Sequence, residues 1–126
     1  KLIAKEVSNV NTYLDEKKKG IYGDVLIKVF ENKSINILKS LAGAISPRLT
    51  NGVVFLINKT DSSLNFVCKV NDYLKDKVDA GLLVKDASKI AGGNGGGSKV
   101  FAQGGGTIID KLDMILTYVK SKIEKE

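Results

Sequence analysis

Residues 92–106 read GGNGGGSKVFAQGGG, eight glycines in fifteen positions with Ser98 and Lys99 between the two clusters. Glycine backbones expose amide donors and tolerate close approach, so such a segment could cradle a phosphate or ribose oxygen. A P-loop ends in Gly-Lys-Ser/Thr ahead of a helix; here Gly97-Ser98-Lys99 exchanges the serine and the lysine, and no helix follows directly. The dinucleotide fingerprint G-x-G-x-x-G has no match in the segment, and a helical pattern rather than a strand precedes it. Each ordered glycine costs about 0.5–1 kcal/mol against alanine, so eight together must serve backbone geometry or a close approach. Val100-Phe101-Ala102 interrupts the run with an apolar tripeptide worth burying. The segment is therefore expected to be an ordered loop, with one short strand at 100–103, rather than a flexible linker.

The other reactive residue types are sparse. The chain has no histidine and a single cysteine, Cys68. It therefore holds no Ser-His-Asp triad, no zinc set and no ordinary base for neutral pH. Cys68 lies in an apolar alternation, as expected of a buried small hydrophobe, and one cysteine fits a reducing compartment. Asp72, Asp76, Asp79 and Asp86 recur near helical spacing, but Lys75, Lys77, Lys85 and Lys89 alternate with them. That is the pattern of a solvated helix face rather than a metal ladder.

Behind these residues stand elements readable from hydropathy. Ile3, Val7, Val10 and Leu14 step by four, three and four, and Lys17-Lys18-Lys19-Gly20 supply a helix stop. Residues 1–20 are thus expected to be a lead-in helix, either packed on the domain that follows or forming the end of a coiled coil, and 21–126 a globular domain. Asp24 to Phe30 reads as a strand with Val25, Ile27 and Val29 on one face. Ser34 caps a helix bearing Ile35, Leu38, Leu41, Ala42 and Ile45, which must stop by Pro47. Val53 to Ile57 is apolar throughout, a strand covered on both faces. A turn at 58–63 joins it to an alternating strand from Leu64 to Val70. Helical spacing runs from Tyr73 to Ile90, with a break at Gly81. Asp110 caps a last helix with Leu112, Ile115, Leu116, Val119 and Ile123 on one stripe. The expected fold class is mixed α/β: a small mixed sheet with helices packed on it, preceded by the N-terminal helix.

The 126 residues make one domain by length. A first residue of Lys rather than Met is expected of a piece of a longer protein. No apolar run is long enough to cross a bilayer, and no secretory signal opens the chain. Twenty cations against fourteen acids give +6, and all of the cations but Arg48 are lysine. That field attracts polyanions, and lysine grips backbone phosphate rather than reading bases.

Val78 to Gly106, VDAGLLVKDASKIAGGNGGGSKVFAQGGG, resembles the glycine-rich signature of alanyl-tRNA synthetase C-terminal domains. The resemblance rests on Ala80-Gly81, Leu83-Val84-Lys85, Lys89, Gly92-Gly93, Gly95-Gly96-Gly97, and Ala102-Gln103 with Gly105-Gly106. Asn51-Gly52-Val53-Val54 is similar as well. The family's usual Arg-Pro-Asp after the first glycine cluster is replaced by Ser98-Lys99-Val100, which removes a bidentate grip on phosphate. DHH phosphoesterases carry a related module with a histidine in the glycine segment, and this chain has none. A structural or dimerising module is the third reading.

The resemblance implies a tRNA-binding module that contacts the tRNA elbow and tethers it for aminoacylation and editing by other domains. The fragment itself would be non-catalytic. It implies no cofactor here, with ATP, magnesium and zinc belonging to the parent synthetase. The implied partners are tRNA, alanine tRNA in particular, the parent's other domains and a second copy in a homodimer, with no membrane; the implied location is the cytoplasm. The candidate RNA contacts are Lys99, Ser98, Asn94, Gln103, Lys85, Lys89 and Arg48, joined by Lys17 to Lys19 if that end lies on the same face. Gly92, Gly93, Gly95, Gly96, Gly97, Gly104, Gly105 and Gly106 are expected to shape the loop.

Overall fold

The computed structural model of the chain describes residues 18–19, 23–49, 52–74 and 76–123. In chain order these form β1 (Lys18–Lys19), β2 (Asp24–Glu31), α1 (Ile35–Ile45), β3 (Val53–Lys59) and β4 (Leu64–Val70). There follow α2 (Ala80–Ile90), β5 (Asn94–Gly97), β6 (Phe101–Gly106) and α3 (Leu112–Ile123). The six strands make one sheet in the order β1-β2-β3-β4-β6-β5. Only β2 and β3 pair in parallel, with α1 as the crossover between them; every other pair is antiparallel. This is the mixed α/β class that the alternation of patterns predicts.

Each face of the sheet has its own apolar layer. Val25, Phe55, Phe66 and Cys68 lie on one face under α2 and α3, where Ala87, Ile115, Val119 and Ile123 close over them. The Phe55 and Phe66 rings meet with centroids 6.0 Å apart. Leu26, Val54, Leu56 and Val67 lie on the other face under Leu38, Leu41 and Ile45 of α1. Because β3 is covered on both sides, every residue from Val53 to Asn58 is buried, and its uninterrupted apolar run is explained.

Local chemistry sets the boundaries. The Ser34 hydroxyl accepts the Ile37 amide at 3.2 Å and opens α1; the helix ends in a short 3-10 turn, Ser46–Arg48, that contains Pro47. The hairpin between β3 and β4 is tighter than the expected turn at 58–63, since β3 runs through Lys59. Asn58 is fully buried there and clamps the segment before α1. Its carboxamide accepts the Lys33 amide at 2.8 Å and donates to the Lys33 carbonyl at 2.6 Å.

Four further expectations are corrected. Lys18 and Lys19 pair as a strand with Val25 and Asp24, so they do not end a helix; the stripe from Ile3 to Leu14 lies outside the described residues. The helix expected over 73–90 is a 3-10 turn at Asp72–Leu74 followed by α2 from Ala80. Tyr73 is 85% exposed, and Gly81 sits inside the first turn of α2 rather than at a break. The four aspartates therefore share no helix face: Asp79 caps α2 by accepting the Leu82 amide at 3.1 Å, and Asp86 accepts the Tyr118 hydroxyl. Asp110 lies within a 3-10 turn, Ile109–Lys111, and caps nothing with its side chain.

Candidate nucleic-acid interface

The glycine segment is ordered, as expected, but it is a β-hairpin rather than a loop. β5 pairs with β6 from Asn94↔Gly105 to Gly97↔Ala102, and β6 pairs with β4 from Leu64↔Gly106 to Lys69↔Phe101. The expected strand at 100–103 is thus the start of a longer one. The glycines let α2 lie directly on the hairpin backbone. A Cβ at Gly95 would stand 2.5 Å from Ser88 Oγ and 2.8 Å from the Gly104 Cα. One at Gly104 would stand 2.5 Å from the same oxygen and 2.6 Å from the Gly95 Cα. Gly93, Gly97, Gly105 and Gly106 likewise press on backbone oxygens, and Gly92 turns the chain out of α2 at φ +78°. Gly96 is the exception: a Cβ there would meet nothing within 4 Å.

The hairpin turn does not offer a phosphate cradle. Its carbonyls already cap α2, the Ala80 amide donating to Lys99 O and the Gly81 amide to Ser98 O, both at 2.9 Å. The Ser98 hydroxyl accepts the amides of Phe101 at 3.1 Å and Val100 at 3.3 Å. Ser98 closes the turn, and the helix N-terminus is spoken for.

Register brings several cations to one end of the sheet. Lys19 pairs with Asp24, Val25 with Val53, and Val53 with Val70, whose amide donates to Val100 O at 2.8 Å. That row carries positions 18 and 19 at one edge and Lys99 at the other. Arg48 follows α1 at the same end, and Lys69 is the penultimate residue of β4. Arg48 and Lys69 lie on the α1 side of the sheet. The aspartates at 72, 76 and 79 belong to the segment whose Leu74 and Val78 pack on the opposite side.

The remaining predicted contacts separate. Asn94 and Gln103 are exposed on the α1 side of β5 and β6, because their neighbours Gly95, Ala102 and Gly104 face α2. Lys85 and Lys89 are exposed on α2 itself, in the opposite layer. Lys69 and Phe101 were not among the predicted contacts. They are cross-strand partners, with Lys69 Nζ 5.8 Å from the Phe101 ring centroid. The alternation Asn65-Val67-Lys69 was the available signal for Lys69, but its neighbour on β6 is set by tertiary pairing.

No catalytic constellation accompanies these residues. Cys68 is fully buried, and its thiol is held neutral, its pKa pushed up by burial and then by the charge of Asp79. Tyr118 is likewise pushed up, by desolvation and by its hydrogen bond to Asp86. Among the described residues no group of three or more His, Cys, Asp or Glu could hold a metal, and no helix is long and apolar enough to cross a membrane. A cleft of about 210 Å³ between α2 and α3 is floored by Val78, Leu83 and Ile123.

A family model described as the DHHA1 domain matches residues 22–125. The chain belongs to the DHHA1 domain family. Among its relatives, the alanine–tRNA ligase of Fervidobacterium nodosum is 39% identical over 101 residues, which are 80% of this chain and 12% of the ligase. That of Clostridioides difficile is 31% identical over 121 residues, 95% of this chain and 14% of that protein. The chain therefore spans about an eighth of the length of these ligases. The C-Ala domain of Aquifex aeolicus alanyl-tRNA synthetase superposes with a TM-score of 0.79 and 28% identity, covering 86% of this chain and 98% of that domain. A pGpG-specific phosphodiesterase from Vibrio shares the fold, with a TM-score of 0.52, 12% identity, and coverage of 95% of this chain and 39% of that protein.

Proposed function

We propose that this DHHA1 domain is the tRNA-binding C-terminal module of an alanyl-tRNA synthetase. It holds the elbow of alanine tRNA while other domains of the parent, using ATP, magnesium and zinc, carry out aminoacylation and editing in the cytoplasm. The observation that carries this reading is the placement of Arg48, Lys69 and Lys99 at one end of the sheet, Arg48 and Lys69 on the α1 side and Lys99 in the turn that caps α2, beside a sheet face that no helix covers among the described residues. Lysine-rich charge with little aromatic surface suits contacts to phosphate and to the contour of a folded RNA rather than to sequence. The likeness to the Aquifex C-Ala domain supports the same reading. The phosphoesterase alternative rests on a fold likeness at 12% identity and finds no histidine in the chain to serve it.

A native gel comparing folded alanine tRNA, single-stranded RNA and duplex DNA tests the proposal. Folded tRNA is expected to shift at the lowest protein concentration. Equal affinity for all three would reduce the domain to a generic basic module, and no shift at all would leave association between copies, visible by sedimentation, as its role.

A further inference from the structure

Helix α1 lies over β3 and β4, while the same face of β6 and β5 is left bare among the described residues. What stands on that face follows from register. Lys69 and Phe101 form one row, Val67, Gln103 and Gly96 the next, and Asn65, Gly105 and Asn94 the third. Phe101 is half-buried at the rim of the α1 layer, so its ring is fixed in place yet open to one side. Gln103 and Asn94 are exposed. Gly96 owes its glycine to a φ of +156°, and above its backbone a Cβ would meet nothing within 4 Å, so the space over it is open. The surface therefore carries an aromatic ring and a cation in its first row, the Gln103 carboxamide beside open Gly96 backbone in its second, and Asn94 with Asn65, whose oxygen already accepts from Asn58, in its third.

Flat, aromatic-flanked sheet surfaces are what unpaired bases stack on, because every base offers a π-face and a backbone-level floor leaves room for it. Carboxamides carry both a donor and an acceptor, and they complement a base edge that is not already engaged by a partner base. Lys69, now over the Phe101 ring, has three donors on a flexible stem and would reach the phosphate of a stacked nucleotide. We infer that the bare face of β6 and β5 is a subsite for one unpaired RNA base, stacked on Phe101 over the Gly96 backbone with its edge held by Gln103. The inference rests on the RNA-binding reading above and names a contact within it.

The test uses the 126-residue chain, a hexaribonucleotide carrying one central 2-aminopurine, and folded alanine tRNA. Binding should quench the aminopurine. Phe101→Leu should abolish that quench and weaken hexamer affinity about tenfold, while the slope of log Kd against log salt stays unchanged because every phosphate keeps its lysine. Phe101→Tyr should keep the quench. Gln103→Leu, at an exposed position that the fold does not need, should weaken binding with melting behaviour unaltered, which separates a missing hydrogen bond to the base from a failure to fold. A quench equal in wild type and Phe101→Leu, with tRNA still bound, overturns the base subsite and leaves the RNA-binding reading standing. Failure of both RNAs to bind the wild-type chain overturns the reading itself. A change of sedimentation on Phe101→Leu would assign the face to a second protein copy and overturn the inference.

Discussion

Ser88 shows how closely the glycine segment and α2 are fitted. Its hydroxyl sits between Gly95 and Gly104, completely buried, with no hydrogen-bond partner. The other buried polar side chain near the sheet centre, Asn58, is satisfied by Lys33 and Asn65. An unpartnered buried hydroxyl forfeits its hydration without compensation, a penalty of about 1–3 kcal/mol. Ser88→Ala keeps the Cβ that packs on the hairpin and removes only the oxygen. It is expected to stabilise the domain by about 1 kcal/mol, read as a higher urea midpoint at unchanged slope. A lower midpoint would mean that the hydroxyl finds a partner in solution.

At the scale of elements, the same substitution should have opposite signs in two places. Gly43 lies on the solvent side of α1 with nothing within 4 Å of a Cβ. Gly43→Ala should therefore stabilise by about 0.5–1 kcal/mol through helix propensity and unfolded-state entropy. Gly104→Ala must push α2 off the hairpin and should destabilise by about 1–3 kcal/mol; thermal melts of the two variants on opposite sides of wild type are the check. This contrast explains what was legible in the sequence. Strands β2, β3 and β4 and helix α1 carry their own period and caps, so hydropathy alone placed them. The hairpin did not, because glycine has neither period nor strand propensity, and β6 is a strand only because the edge of β4 pairs with it. The stretch from Tyr73 to Ile90 misled for a related reason: Leu74 and Val78 are buried at near-helical spacing, but the helix begins where Asp79 and the hairpin carbonyls can cap it. Of the site, the charges of Arg48 and Lys99 were visible as residue types, whereas their gathering with Lys69 depends on a pairing between segments more than thirty residues apart.

For the molecule as a whole, the question is whether net charge or its arrangement holds the RNA. Lys99→Glu and Lys89→Glu each take the formal charge from +6 to +4, so any effect of total field is the same in both. Their positions differ. The Lys99 carbonyl accepts from the first residue of α2, while Lys89 is nine residues further along that helix, about 14 Å up its axis at 1.5 Å per residue. That exceeds the screening length of about 10 Å at 0.1 M salt, so the two sites act almost independently near physiological ionic strength. If contact is made at the sheet end, Lys99→Glu should weaken tRNA binding about tenfold or more. It should also flatten the plot of log Kd against log salt by about 0.7–0.9 for each phosphate that is no longer neutralised. Lys89→Glu should stay within about twofold of wild type and keep the full slope, since a distant surface charge changes encounter more than contact. Filter binding across a potassium chloride titration reads both quantities at once. Matching losses in the two variants would show that +6 acts as a diffuse field and that the end of the sheet has no special part in binding.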